Sequence, residues 1–128
     1  MKYLLDTHTF LWAIEDDPRL SAAAAEMFMN RQNELFLSAA SVWEIVIKTQ
    51  VGKLRLPSPV AGFLKQHLEL NRVRVLPITF PHVLRVEQFP LHHHDPFDRL
   101  LAAQSIEEKM PILSADALLR KYPVTVVW

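Results

Sequence analysis

Short apolar runs separated by longer stretches of helical periodicity constrain this chain more than any other feature. Lys2 to Leu5, Glu34 to Leu37, Val73 to Ile78, Ile112-Leu113 and Val124 to Val127 are brief, and all carry leucine, valine, isoleucine or aromatic residues. Such runs read as strands. Between them lie helical patterns at residues 8–15 and, after Pro18, at 20–30, which is alanine-rich. A helix over 41–50 carries Val42, Trp43, Ile45 and Val46 and stops near Gly52. Pro57 opens a helix over about 58–70, residues 80–88 form a short one, Pro96 heads one that runs to about 109, and 116–121 form another. Strand–helix–strand alternation at this spacing gives an α/β fold with a mainly parallel sheet covered on both faces. At 128 residues, half of them apolar, the chain fits one domain spanning 1–128.

Composition then removes whole classes of chemistry. Cysteine is absent, which excludes disulfides, thiolate zinc sites and cysteine nucleophiles. Glycine occurs only at 52 and 62, so no Gly-rich phosphate loop can be written. No run approaches the roughly 20 apolar residues of a membrane helix. Met1-Lys2 leads straight into the first strand without an apolar signal region. The expectation is a cytoplasmic protein with no membrane partner. Lys and Arg balance Asp and Glu at 14 each. A nucleic-acid partner therefore gains nothing from net charge.

Four acids stand where acids are structurally awkward. Asp6 closes the first apolar run and Asp116 follows the fourth. Open parallel sheets carry their sites at the carboxyl ends of strands, so these two can converge. Glu44 shares a helical face with Ala40, Ile47 and Val51, and Asp98 with Leu101 and Ala102, so each carboxylate lies on an apolar stripe. Carboxylates gathered in one cleft repel, and a divalent cation relieves the repulsion. Magnesium takes oxygen ligands at about 2.0–2.1 Å. Such a site suits phosphodiester hydrolysis without a serine, cysteine or histidine nucleophile. Each acid also has a structural reading: Ser41-x-x-Glu44 matches a capping box, and Asp6, Asp95 and Asp116 each precede a helix they can cap.

Other residues carry weaker signals. His92-His93-His94 reads as a loop rather than a metal site, with one imidazole at most near substrate. His8, two residues after Asp6, can touch the site or sit in a first helical turn. Lys48 is an i,i+4 partner for Glu44. Arg99, beside Asp98, can meet a phosphate or orient a carboxylate, and a surface position is the simpler expectation. Lys53 and Arg55 fall in a loop where they can reach RNA backbone or simply be solvated. Trp12, Trp43, Phe10 and Phe28 are expected in the core or at a dimer contact.

Tyr3-Leu4-Leu5-Asp6-Thr7-His8, Ser38-Ala39-Ala40-Ser41-Val42-Trp43-Glu44-Ile45, Gly52-Lys53-Leu54, the stretch His93-His94-Asp95-Pro96-Phe97-Asp98-Arg99-Leu100-Leu101-Ala102-Ala103-Gln104, and Leu113-Ser114-Ala115-Asp116 follow one another along essentially the whole chain. In that order and spacing they resemble the PIN-domain family, in particular the VapC-like toxins of bacterial toxin–antitoxin pairs. The resemblance implies a three-layer α/β/α sandwich around a mainly parallel sheet of about five strands. It implies a magnesium- or manganese-dependent endoribonuclease whose metal site is Asp6, Glu44, Asp98 and Asp116. Ser114 would support that site, and Thr7, Asp95 and Arg99 are the other candidates to orient it or meet substrate. It further implies an RNA substrate, a homodimer and a small VapB-like antitoxin partner. Two alternatives stay open: a non-catalytic interaction module of the same fold, and an aspartate-based phosphatase with Asp6 as nucleophile. The second is weakened by His8 at the position where that chemistry wants another aspartate.

Overall fold

The computed structural model describes residues 1–91 and 94–128, so His92 and His93 of the histidine run lie outside the described residues. Five strands form one sheet: β1 (Lys2–Leu5), β2 (Glu34–Ser38), β3 (Val73–Leu76), β4 (Ile112–Leu113) and β5 (Val126–Val127). Their spatial order is β3-β2-β1-β4-β5 and every pairing is parallel. The helices are α1 (Thr7–Ile14), α2 (Ala22–Met29), α3 (Ala39–Gln50), α4 (Val60–Leu70), α5 (Phe80–Val86) and α6 (Pro96–Glu108), followed by a 3₁₀ turn over Ala117–Lys121. Among the described residues no helix is long and apolar enough to cross a membrane.

Strand alternation divides the core in two. Tyr3, Leu5, Leu35, Leu37, Val73 and Leu113 face one side, where Phe10, Leu11, Ala24, Ile45 and Leu64 of α1–α4 cover them. Leu4, Leu76 and Ile112 face the other, under Leu101, Ala102 and Ala103 of α6 together with Phe89, Leu119 and Tyr122. The result is the expected α/β/α sandwich. Burial on both faces is why the strands read as continuous apolar runs rather than alternating ones.

Several boundaries differ from the sequence expectation, each for a local reason. Helix α3 starts at Ala39 instead of 41 because Ser38 is its cap, accepting a hydrogen bond from the Ala40 N–H at 3.0 Å. Helix α4 starts at Val60 with Pro59 at its N-cap position. Strand β3 ends at Leu76, because Pro77 has no N–H with which to extend the ladder. The segment after Asp116 is 3₁₀ rather than α. Strand β5 is confined to Val126–Val127.

Topology positions the site. The chain builds β1, β2 and β3 outward in one direction and then crosses to β4 and β5 on the far side of β1. The strand order therefore reverses between β1 and β4, the point where open α/β sheets form a crevice at their carboxyl ends. Leu5 is in register with Leu113. That register sets Asp6 beside Ser114, and the Asp6 N–H donates to the Leu113 carbonyl at 3.1 Å.

Candidate active site

Asp6 sits at the N-cap position of α1, yet its side chain makes no capping hydrogen bond. Its Oδ2 instead accepts from the Ser114 hydroxyl at 2.6 Å, and the Ser114 oxygen accepts from the Asp116 N–H at 3.0 Å. One buried serine thus ties the end of β1 to the turn after β4. Burial pushes the Asp6 carboxyl above the usual range, Asp116 and Glu44 push it further, and the Ser114 hydrogen bond and His8 oppose them.

Glu44 is buried, which overturns the capping-box reading. Ser41 lies inside α3, not at its start, and Glu44 reaches across to other elements. Its Oε1 accepts from the buried Thr7 hydroxyl at 2.8 Å and its Oε2 meets Lys48 Nζ at 3.0 Å. The Lys48 pair has the expected i,i+4 spacing, but one partner is deep in the site. A solvated pair of this kind contributes little; a buried carboxylate without a partner is costly.

Asp98 occupies the first turn of α6. Burial comes first in raising its carboxyl, followed by the charges of Asp95, Asp6, Asp116 and Glu44, and together they push it up to about 8. The four acids singled out in the sequence therefore share one electrostatic environment. Asp95 is the cap of α6, accepting from the Phe97 N–H at 2.9 Å and the Asp98 N–H at 3.3 Å. Asp116 is likewise a cap, accepting from the Leu118 N–H at 2.9 Å. For these two the structural reading holds, and their charges reach Asp98 as well.

The expectation for Arg99 is corrected. Its side chain is neither at the surface nor aimed at phosphate or carboxylate. It is buried, and its guanidinium donates to the carbonyls of Pro90 at 3.0 Å, Val86 at 3.2 Å and Phe89 at 3.3 Å. Arg99 fastens the segment after α5 onto α6, work suited to a planar group with five fixed donors. Of the two positions expected for Trp43, the core is ruled out: it is 62% exposed and meets Phe97 edge-on, ring centroids 5.4 Å apart. Phe10, by contrast, is fully buried.

Magnesium or manganese suits the donor set, because Asp6, Glu44, Asp98 and Asp116 offer only hard carboxylate oxygens and the raised Asp98 carboxyl gains from a neighbouring positive charge. Among the described residues, no group of three or more Asp, Glu or His side chains is placed so that it could hold a metal ion. Like charges repel, and local donors orient these carboxylates: Ser114 for Asp6, Thr7 and Lys48 for Glu44, the Leu118 N–H for Asp116. Sequence reasoning missed the Thr7–Glu44 bond, which spans 37 positions and leaves no periodic signal.

Known proteins resemble the chain along its length. The PIN domain family model matches residues 3–124. Ribonuclease VapC22 of Mycobacterium tuberculosis is 33% identical over 129 residues, covering 96% of each chain. Among solved structures, VapBC2 from Rickettsia felis bound to a DNA fragment from their promoter aligns with a TM-score of 0.73 at 17% identity, covering 99% of this chain and 98% of that one. FitAcB from Neisseria gonorrhoeae aligns at 0.69 and 20% identity, covering 98% and 96%. The chain belongs to the PIN-domain family.

Proposed function

We propose that this protein is a metal-dependent endoribonuclease, the toxin of a toxin–antitoxin pair, working as a single PIN-like domain over residues 1–128. The observation that carries the reading is the shared environment of four carboxylates at the β1/β4 reversal point, felt most strongly at Asp98. The full-length likeness to a relative named a ribonuclease supports RNA as the substrate. A solved toxin–antitoxin complex from Klebsiella pneumoniae with the same fold, at a TM-score of 0.64 and 14% identity over 98% of this chain and 96% of that one, accords with a small VapB-like antitoxin partner. A homodimer and a cytoplasmic setting complete the reading.

In this reading Asp6, Glu44, Asp98 and Asp116 hold magnesium or manganese. When bound, the cation supplies Lewis acidity and lowers the pKa of an attacking water. Ser114 keeps Asp6 turned towards the cleft and links it to the turn bearing Asp116. Thr7 fixes the rotamer of Glu44, and Lys48 balances its charge. Asp98 carries a proton at neutral pH until a cation takes its place. Asp95 holds the first turn of α6 so that Asp98 keeps its position at the cleft.

The test is cleavage of a structured RNA with manganese by the wild type and by Asp6→Ala and Asp98→Asn proteins whose folding is checked by circular dichroism. Cleavage by the wild type alone is expected. Cleavage retained in both variants would overturn the assignment.

A further inference from the structure

A protein with no net charge and four clustered acids must hold an anionic polymer by local means. Beside the acid cleft lies a second groove of about 350 Å³, lined by Thr7, His8, Trp12, Arg19, Lys48 and Lys53 among others. His8 and Trp12 also line the cavity beside Asp6 and Asp116, so the two spaces are neighbours that share these side chains. The groove falls within the ~300–1,000 Å³ range of ligand sites.

Its cations are not equivalent. Arg19 lies over the Trp12 ring at 4.9 Å and is held there by Asp17 at 2.8 Å. Lys48 is committed to Glu44 at 3.0 Å. Lys53 is exposed and forms no ion pair among the described residues. Its position is not accidental. Helix α3 ends in a Schellman motif: the Gly52 N–H donates to the Thr49 carbonyl at 3.3 Å, the Lys53 N–H donates to the Lys48 carbonyl at 2.9 Å, and Gly52 takes φ +79°. The motif folds the chain back so that Lys53 stands over the same groove as Lys48. Glu15 is the one carboxylate among the groove's lining residues, and because Asp17 and Glu44 already compensate Arg19 and Lys48, Lys53 is the lining cation left free to meet an anion.

We propose that this groove carries the phosphodiester backbone of single-stranded RNA beside the bond to be cut, with Lys53 as the uncompensated phosphate contact and Trp12 as the apolar wall. The proposal rests on the nuclease reading for its substrate, but its test does not depend on cleavage. Cationic side chains that meet phosphates release counterions, and each contact on a single strand contributes about 0.7 to the slope of log affinity against log salt.

The experiment follows fluorescence anisotropy of a labelled single-stranded RNA of about 12 nucleotides, with Asp98→Asn protein in magnesium so that the probe stays intact. Lys53→Gln is compared with Lys53→Arg and with Lys65→Gln, Lys65 being an exposed residue of α4 outside the groove lining. Lys53→Gln is expected to weaken binding about threefold or more and to make the salt slope shallower by about 0.7. Lys53→Arg restores both, and Lys65→Gln changes neither. Equal behaviour of Lys53→Gln and Lys65→Gln, or no RNA binding at all, overturns the proposal. Weakened binding at Lys53 with no cleavage by the wild type would keep the groove and reject the nuclease. Wild-type cleavage with an indifferent Lys53 would do the reverse.

Discussion

Ser114 and Thr7 show how single hydroxyls set up the site. Each donates one hydrogen bond to a buried carboxylate, Ser114 to Asp6 and Thr7 to Glu44. A hydrogen bond to a charged group contributes about 1.5–3 kcal/mol. Thr7→Val leaves Glu44 with Lys48 alone and is expected to cost about 1–3 kcal/mol, read from denaturant midpoints, with cleavage reduced beyond the loss of folded protein. Asp98 works the other way. Its carboxyl stands near 8 when folded against 3.8 in the unfolded chain, so the folded state binds the extra proton between those values. Asp98→Asn should therefore melt higher than the metal-free wild type at pH 8 and no higher at pH 4, while losing cleavage. A variant less stable than wild type at pH 8 would contradict the electrostatic account. The sequence made all four acids legible, because each interrupts an apolar pattern. It could not separate cap from ligand at Asp116, and it misread Arg99, since a guanidinium that ends on three backbone carbonyls leaves no motif.

At the scale of elements, the short apolar runs were sufficient to give a parallel sheet, and their burial on both faces explains why. Boundaries were harder to read where a cap or a proline decides them. Ser38 moves the start of α3 two residues back, and Pro77 cuts β3 short. The end of α3 was legible, because Gly52 is a residue that accepts positive φ readily. A methyl group at Gly52 meets nothing within 4 Å, so its cost is purely one of backbone. Gly52→Ala should cost about 1–2 kcal/mol and lower the melting temperature by a few degrees. It should also weaken RNA binding through displacement of Lys53. An unchanged melting temperature would mean that the turn is not held as described.

Across the whole molecule, the reversal of strand order between β1 and β4 gathers charge that the fold alone does not welcome. The contribution of Asp98 to the stability of the metal-free protein is fully present below about pH 4 and is lost as pH rises through about 8. A cation that binds only the folded state restores it, by about 2.7 kcal/mol at one hundred times its dissociation constant. The gain in melting temperature from magnesium or manganese should be larger at pH 8 than at pH 5, by differential scanning fluorimetry. An equal gain at both would detach the cation from Asp98. Proton and metal compete for the same oxygens, so their exchange can be counted directly. Calorimetric titration of manganese at pH 7, in two buffers of different ionisation enthalpy, should show binding with release of about one proton, and both the release and most of the affinity should vanish in Asp98→Asn. Binding that releases no proton, or that survives unchanged in that variant, would contradict a cation shared among these carboxylates.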